Sequence, residues 1–147
     1  MYTNILIPTD GSTHSAHAIR HAVELARATG AKVTGLYVSP SATPLVFKGI
    51  LPIGYMPPDA HEKAIARSAK QFLEAIEKEA RHAGVACTSL SIRGDFPAES
   101  ILQTAAAQKC DLIVMASHGR SGIASLLLGS ETQKVLAHAK IPVLVHR

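Results

Sequence analysis

The residues best suited to chemistry lie in Ala116-Ser117-His118-Gly119-Arg120-Ser121-Gly122 and its continuation to Leu128-Gly129-Ser130. The stretch leaves an apolar run and delivers Gly129-Ser130 to the start of a segment with helical periodicity. Backbone N–H groups at a helix start, with a hydroxyl beside them, suit an anion such as phosphate. Glycines let that backbone approach closely and take positive φ. The same glycines would serve equally well to turn the chain and end helices, and spacing alone leaves both readings standing. His118 and Arg120 match phosphate by charge, although loop side chains of this kind are as often solvated. Two other phosphate-binding patterns are excluded. There is no G-x-x-x-x-G-K-[ST], and the first apolar run does not lead into G-x-G-x-x-G. The chain is therefore neither a P-loop NTPase nor a nicotinamide-dependent dehydrogenase.

Other reactive residue types carry less. His14, His17 and His21 fall on one side of a helical segment, with Glu24 continuing the line. His17 and His21 stand at i, i+4, a spacing that can chelate a metal, but solvated histidines are the expected state and no protein metal site is expected. His61, His82, His138 and His146 are distant from one another in sequence and show no catalytic arrangement. Cys87 and Cys110 have no metal-like spacing, cannot build a disulfide framework, and are expected as inert thiols in a reducing compartment. No G-x-S-x-G elbow supports a Ser-His-Asp hydrolase.

These residues are set by a chain that alternates two periodicities. Asn4-Ile5-Leu6-Ile7-Pro8 is a short apolar run of the kind buried on both faces, ending in Thr9-Asp10-Gly11-Ser12, which supplies a turn and a helix N-cap. Ala18, Ala22, Leu25, Ala26 and Thr29 follow at helical spacing, closed by Gly30. Residues 32–38 form a second strand. Residues 39–58 hold five prolines and are expected as a long functional or mobile loop. Asp59-Ala60-His61-Glu62 reads as a capping box opening a helix to about Ala83, with Ala69, Phe72, Leu73, Ile76 and Ala80 as its buried stripe. Residues 86–93 alternate as a strand, and Pro97 takes the first position of the next helix. Residues 111–116 are another buried run. Ser130-Glu131-Thr132-Gln133 reads as a further capping box, and Pro142-Val143-Leu144-Val145 as a last strand.

Five strands alternating with four helices predict a single α/β domain over residues 1–147, a Rossmann-like three-layer α/β/α sandwich around a five-stranded, mainly parallel sheet. Ligands in such sheets gather beyond the carboxyl ends of the strands, where strand order reverses. That places interest on Pro8-Thr9-Asp10, Val38 and residues 115–119. At 147 residues, 47% hydrophobic and 18% charged, the chain can bury a self-sufficient core and is not of the disordered class. No apolar run reaches the ~18 residues a membrane span needs, and the start Met1-Tyr2-Thr3-Asn4 has no basic signal-peptide head, so a cytoplasmic location is expected. The net charge of +4 is scattered among acids, and with three Phe, three Tyr and no Trp there is little for base stacking, so nucleic acid is not an expected partner.

The whole chain resembles the universal stress protein family, in its ATP-binding branch. The resemblance rests on Ile5-Leu6-Ile7-Pro8-Thr9-Asp10-Gly11-Ser12, on residues 111–119, on Leu128-Gly129-Ser130-Glu131-Thr132 and on Pro142-Val143-Leu144-Val145. The family's nucleotide motif is G-x2-G-x9-G-[ST]. Gly119, nine intervening residues and Gly129-Ser130 match its last two parts, while Ala116 replaces the leading glycine. A methyl there costs on the order of 1 kcal/mol if the position needs positive φ, and nothing comparable if it needs only closeness.

The resemblance implies a binding set for ATP (or AMP/ADP). Asp10 would accept from ribose hydroxyls, with Pro8 and Thr9 bordering the nucleotide and the Val38 backbone pairing with the adenine edge. Met115, Ala116 and Gly119 would line the ribose and phosphates, with His118 and Arg120 nearby. Gly129, Ser130, the Glu131 backbone and Thr132 would hold the phosphate chain. Mg²⁺ would bridge phosphate oxygens rather than sit in a protein cage. The residues fast phosphoryl transfer requires are thin here, so binding with slow or no turnover is expected, the nucleotide acting as a structural ligand or switch. Pro142 to Val145, an edge strand, would pair with its twin in a homodimer. The rival readings are a dimeric interaction module without nucleotide, serving an unidentified protein partner, and a genuine ATPase.

Overall fold

The computed structural model describes residues 1–41, 58–119 and 127–147. Residues 42–57, most of the proline-rich segment, and 120–126, which include Arg120, lie outside the described residues.

The chain runs β1 (Asn4–Thr9), α1 (Thr13–Thr29), β2 (Lys32–Ser39), α2 (Pro58–Ala83), β3 (Cys87–Arg93), α3 (Pro97–Ala107), β4 (Leu112–Ala116), α4 (Ser130–His138) and β5 (Val143–His146). The strands form one sheet in the order β3-β2-β1-β4-β5, every neighbouring pair parallel. The apolar run in β1 is explained by its place. It is the central strand, with β2 on one side and β4 on the other, and alternate residues reach opposite cores. Ile5 and Ile7 pack with Val33, Leu112 and Val114 under α1 and α2. Leu6 packs with Leu36, Ile113 and Met115 under α3 and α4, against Ala98, Ile101, Ala105 and Val135. These are the three expected layers.

Helix α1 buries Ala18, Ala22 and Ala26, joined by Ile19 and Val23. It starts at Ser12, whose side chain accepts from the Ser15 N–H, and ends at Gly30 in the left-handed region, φ 71°. Helix α2 buries Ala69, Leu73, Ile76 and Ala80, with Phe72 half-buried and set edge-on to Tyr37 at 5.2 Å between ring centroids. Neither expected capping box forms. Helix α2 already begins at Pro58, and Glu62 turns away to pair with Arg93 at the end of β3, Arg93 Nη1 donating to Glu62 Oε1 at 2.6 Å. A two-pronged guanidinium pairing offers that carboxylate more than a single backbone N–H. Hydrogen bonding from Arg93 holds the Glu62 carboxyl below its usual range. At α4 the cap is Gly129, with no side-chain cap bond, and Ser130 is the first helical residue.

The amino ends of the inner strands are tied by polar groups. The Asp111 carboxylate, just ahead of β4, accepts from Thr3 N at 2.8 Å, Thr3 Oγ1 at 2.7 Å and Asn4 N at 3.0 Å. Buried Asn4 donates to Gln108 O at 3.0 Å and accepts from Thr34 Oγ1 at 2.9 Å. Burial pushes the Asp111 carboxyl up, but the hydrogen bonds from Asn4 and Thr3 outweigh it and hold the group below its ordinary range. Among the described residues no helix is long and apolar enough to cross a membrane.

Candidate functional site

After β1 the chain turns onto the α1 face of the sheet. After β4 it passes to the α4 face. These two adjacent parallel strands therefore diverge at their carboxyl ends and open a crevice, the position where open α/β sheets take ligands.

Asp10 stands at the β1 side. Its Oδ1 accepts from Ser12 N at 2.9 Å and from Ser15 Oγ at 2.7 Å, so the carboxylate is fixed by the first turn of α1. Buried Thr9 accepts from Gly11 N at 3.2 Å, and Pro8 is half-buried beside it. Gly11 takes φ 78°, and a Cβ there would meet the Phe72 ring at 2.2 Å, so only glycine fits this turn. The other Asp10 oxygen, Oδ2, faces the β4 side, lying 2.5 Å from where a Cβ on Gly119 would sit. Gly119 is thus needed for clearance rather than for φ.

At the β4 side, Gly129 folds back over the strand exit. Its N–H donates to Ser117 O at 2.8 Å, and a Cβ on it would stand 3.2 Å from that same oxygen. Buried Thr132 donates through Oγ1 to Ala116 O at 3.0 Å. These two bonds bring the first turn of α4 to the end of β4, leaving Ser130 exposed at the helix start. Glu131 points its side chain elsewhere: Oε2 accepts from Ala98 N at 2.9 Å, in the first turn of α3, and Oε1 from Lys134 Nζ at 2.9 Å. That carboxylate supplies α3 with the cap its own Phe96 does not provide.

His118 packs at the rim, with Nδ1 3.0 Å from Ser117 Oγ, Nε2 against Leu127 O, and its ring 6.2 Å from that of His14. Met115 is buried, its side chain part of the α3–α4 core, and Val38 is half-buried against that core in register with Ile92. Ala116, at the position of the family's leading glycine, is the last residue of β4 and does not have positive φ. The backbone there is one any residue adopts, so the methyl carries no conformational penalty.

The sequence reading thus has Asp10, Thr9, Gly119, Gly129, Ser130 and Thr132 at one sheet edge. Ser15, which holds Asp10, was missed although it had a visible signal, a hydroxyl three residues after the cap Ser12. Ser117 lay within the stretch singled out but was given no role, and its hydroxyl stands against His118. The two thiols lie away from this edge. Burial pushes both Cys87 and Cys110 up, consistent with unreactive groups.

A fully parallel α/β sheet with a carboxylate at the end of one inner strand and a helix N-terminus at the end of its neighbour places the chain in the class of open Rossmann-like α/β domains. The comparisons with known proteins narrow that class. The model of the universal stress protein family matches residues 1–147, and the chain belongs to that family. It is 36% identical over 152 residues to a universal stress protein of Thermus aquaticus, covering all of both chains. Its fold superposes with TM-score 0.81 on that of the Methanocaldococcus jannaschii protein MJ0577, at 28% identity, covering 99% of this chain and 95% of the other. A universal stress protein solved in complex with cAMP matches with TM-score 0.69 and 26% identity, over 99% and 97% of the two chains.

Proposed function

We infer that this chain binds an adenine nucleotide, ATP or AMP/ADP, at the crevice between β1 and β4. The nucleotide serves as a structural ligand or switch in a cytoplasmic stress response, with slow or no hydrolysis. The observation that carries this reading is the approach of both the Asp10 carboxylate and the α4 N-terminus to Gly119. A carboxylate accepts from ribose hydroxyls, and unbonded N–H groups at a helix start attract phosphate. The cAMP complex of a family member supports the adenine class. Mg²⁺ would accompany the phosphates. Asp10 Oδ1 is engaged by Ser12 and Ser15, which favours holding over turnover.

The same reading includes a homodimer. Strand β5 closes one edge of the sheet, and all four of its residues are half-exposed where β4 beside it is wholly buried. Pairing through Pro142 to Val145 with a second copy would satisfy the open backbone.

The test is to purify the protein without added nucleotide, denature it, and identify released nucleotide by chromatography and mass spectrometry. Titration calorimetry with ATP and Mg²⁺ follows on the emptied protein and on Asp10→Asn, which retains an acceptor for Ser12. Bound adenine nucleotide, or binding that Asp10→Asn weakens at least tenfold, is expected. An empty protein that also fails to bind ATP overturns the reading and leaves the interaction module.

A further inference from the structure

More than one hundred residues of sequence separate His146 from His17 and His21, and the topology removes that separation. Strand β5 alternates faces, and Leu144 packs with the α1–α2 core, alongside Ile19, Ala22 and Val23 of α1. Two residues further on, His146 projects to the same face of the sheet. On α1, His17 and His21 are four residues apart and share one side of the helix. The three rings meet. His146 lies 5.4 Å from His21 and 6.3 Å from His17 between ring centroids, with interplanar angles of 65° and 61°.

We propose that His17, His21 and His146 form a binding site for a divalent transition-metal ion of the zinc class. The separations from His146 come near what such a site needs. A metal–nitrogen distance of about 2.1 Å puts each ring centroid about 3.2 Å from the ion, so tetrahedral imidazole partners have centroids about 5.2 Å apart. His21 and His146 already stand within a few tenths of that separation, and His17 is about 1 Å beyond it. As the side chains stand, no three such donors among the described residues converge on an ion. Closure takes a rotation of His17, which is exposed, as is His21. Exposed side chains change rotamer freely in nanoseconds. Three neutral imidazoles with water in the fourth position suit Zn²⁺, Ni²⁺ or Cu²⁺ and are poor for Mg²⁺ or Ca²⁺. The site is distinct from the crevice at Asp10 and joins α1 to the outermost strand.

The test uses the full chain without a histidine tag, free of nucleotide, titrated with ZnCl₂ by calorimetry. One equivalent is expected to bind below roughly 0.1 mM Zn²⁺. His146→Gln and His17→Gln are each expected to weaken binding at least tenfold, and His138→Gln, at the exposed end of α4, to leave it unchanged. Ring proton signals of the three histidines should shift together on titration, with circular dichroism confirming that each variant is folded. Absence of saturable binding overturns the proposal. So does binding that His146→Gln leaves intact, or an equal loss in His138→Gln.

Discussion

Gly119→Ala isolates the contact on which the crevice is built. A Cβ at this position would stand 2.5 Å from Asp10 Oδ2 and 3.6 Å from Asp10 Cγ. To reach an ordinary contact the carboxylate must retreat by about 1 Å, stretching bonds of 2.9 Å to Ser12 N and 2.7 Å to Ser15 Oγ past useful range. Hydrogen bonds to a charged group contribute about 1.5–3 kcal/mol each, and a half-buried carboxylate recovers part of this from water, so the expected loss is about 1–3 kcal/mol. Gly119 does not have positive φ, so backbone strain adds nothing. The assay is urea denaturation of wild type, Gly119→Ala, Asp10→Ala and the double variant. With Asp10 removed the methyl has room, and the alanine should be neutral or slightly stabilising through the unfolded chain. A coupling of at least 1 kcal/mol is therefore expected. If the two changes add to within about 0.5 kcal/mol, the collision is not with Asp10 and the reasoning fails.

Two further outcomes are expected. Lys109 is the only non-glycine residue with positive φ among those described, at 52°, where the chain leaves α3 with Cys110 N bonded to Ala105 O; Lys109→Gly should raise stability by about 0.5–1 kcal/mol in denaturation, and a loss would contradict the strain assigned to it. Asp111, whose folded carboxyl lies below its unfolded value, contributes stability that is full above the unfolded value and lost as pH falls through the folded one. The melting temperature of Asp111→Asn should therefore lie below that of wild type at neutral pH, with the gap closing as pH falls below about 4; a gap unchanged in acid would refute this.

What the sequence made legible and what it hid follow from the range of the forces involved. Ile5-Leu6-Ile7 announced a strand covered on both faces because such burial removes the alternation a half-exposed strand would show. The stripe of α1 and the stop at Gly30 were equally local. Asp10 and Gly129-Ser130 stood out because strand ends and helix starts are punctuated by short-range signals. The first capping box failed because Glu62 found a partner in Arg93, 31 residues away, which no local pattern encodes. The second failed because Gly129 takes the cap position and Gln133 Nε2 donates to Leu128 O instead. The clamp of Asp111 on Thr3 and the meeting of His146 with His17 and His21 depend on strand order alone. Side-chain destinations across the sheet become visible only once that order is known.

The order β3-β2-β1-β4-β5 also bears on how the chain emerges during synthesis. Its middle strand is made first, yet Ile5 meets its β4 partner Leu112 only after more than one hundred further residues have been added. At translation speeds of about 5–20 residues per second, that flank of the central strand stays open for roughly 5–20 s. The βαβ unit of β1, α1 and β2 can close early, but the crevice cannot exist until β4 arrives. A ribosome-bound fragment ending before β4 thus carries only the β1 side of the crevice and an open strand edge, the kind of surface through which incomplete chains associate.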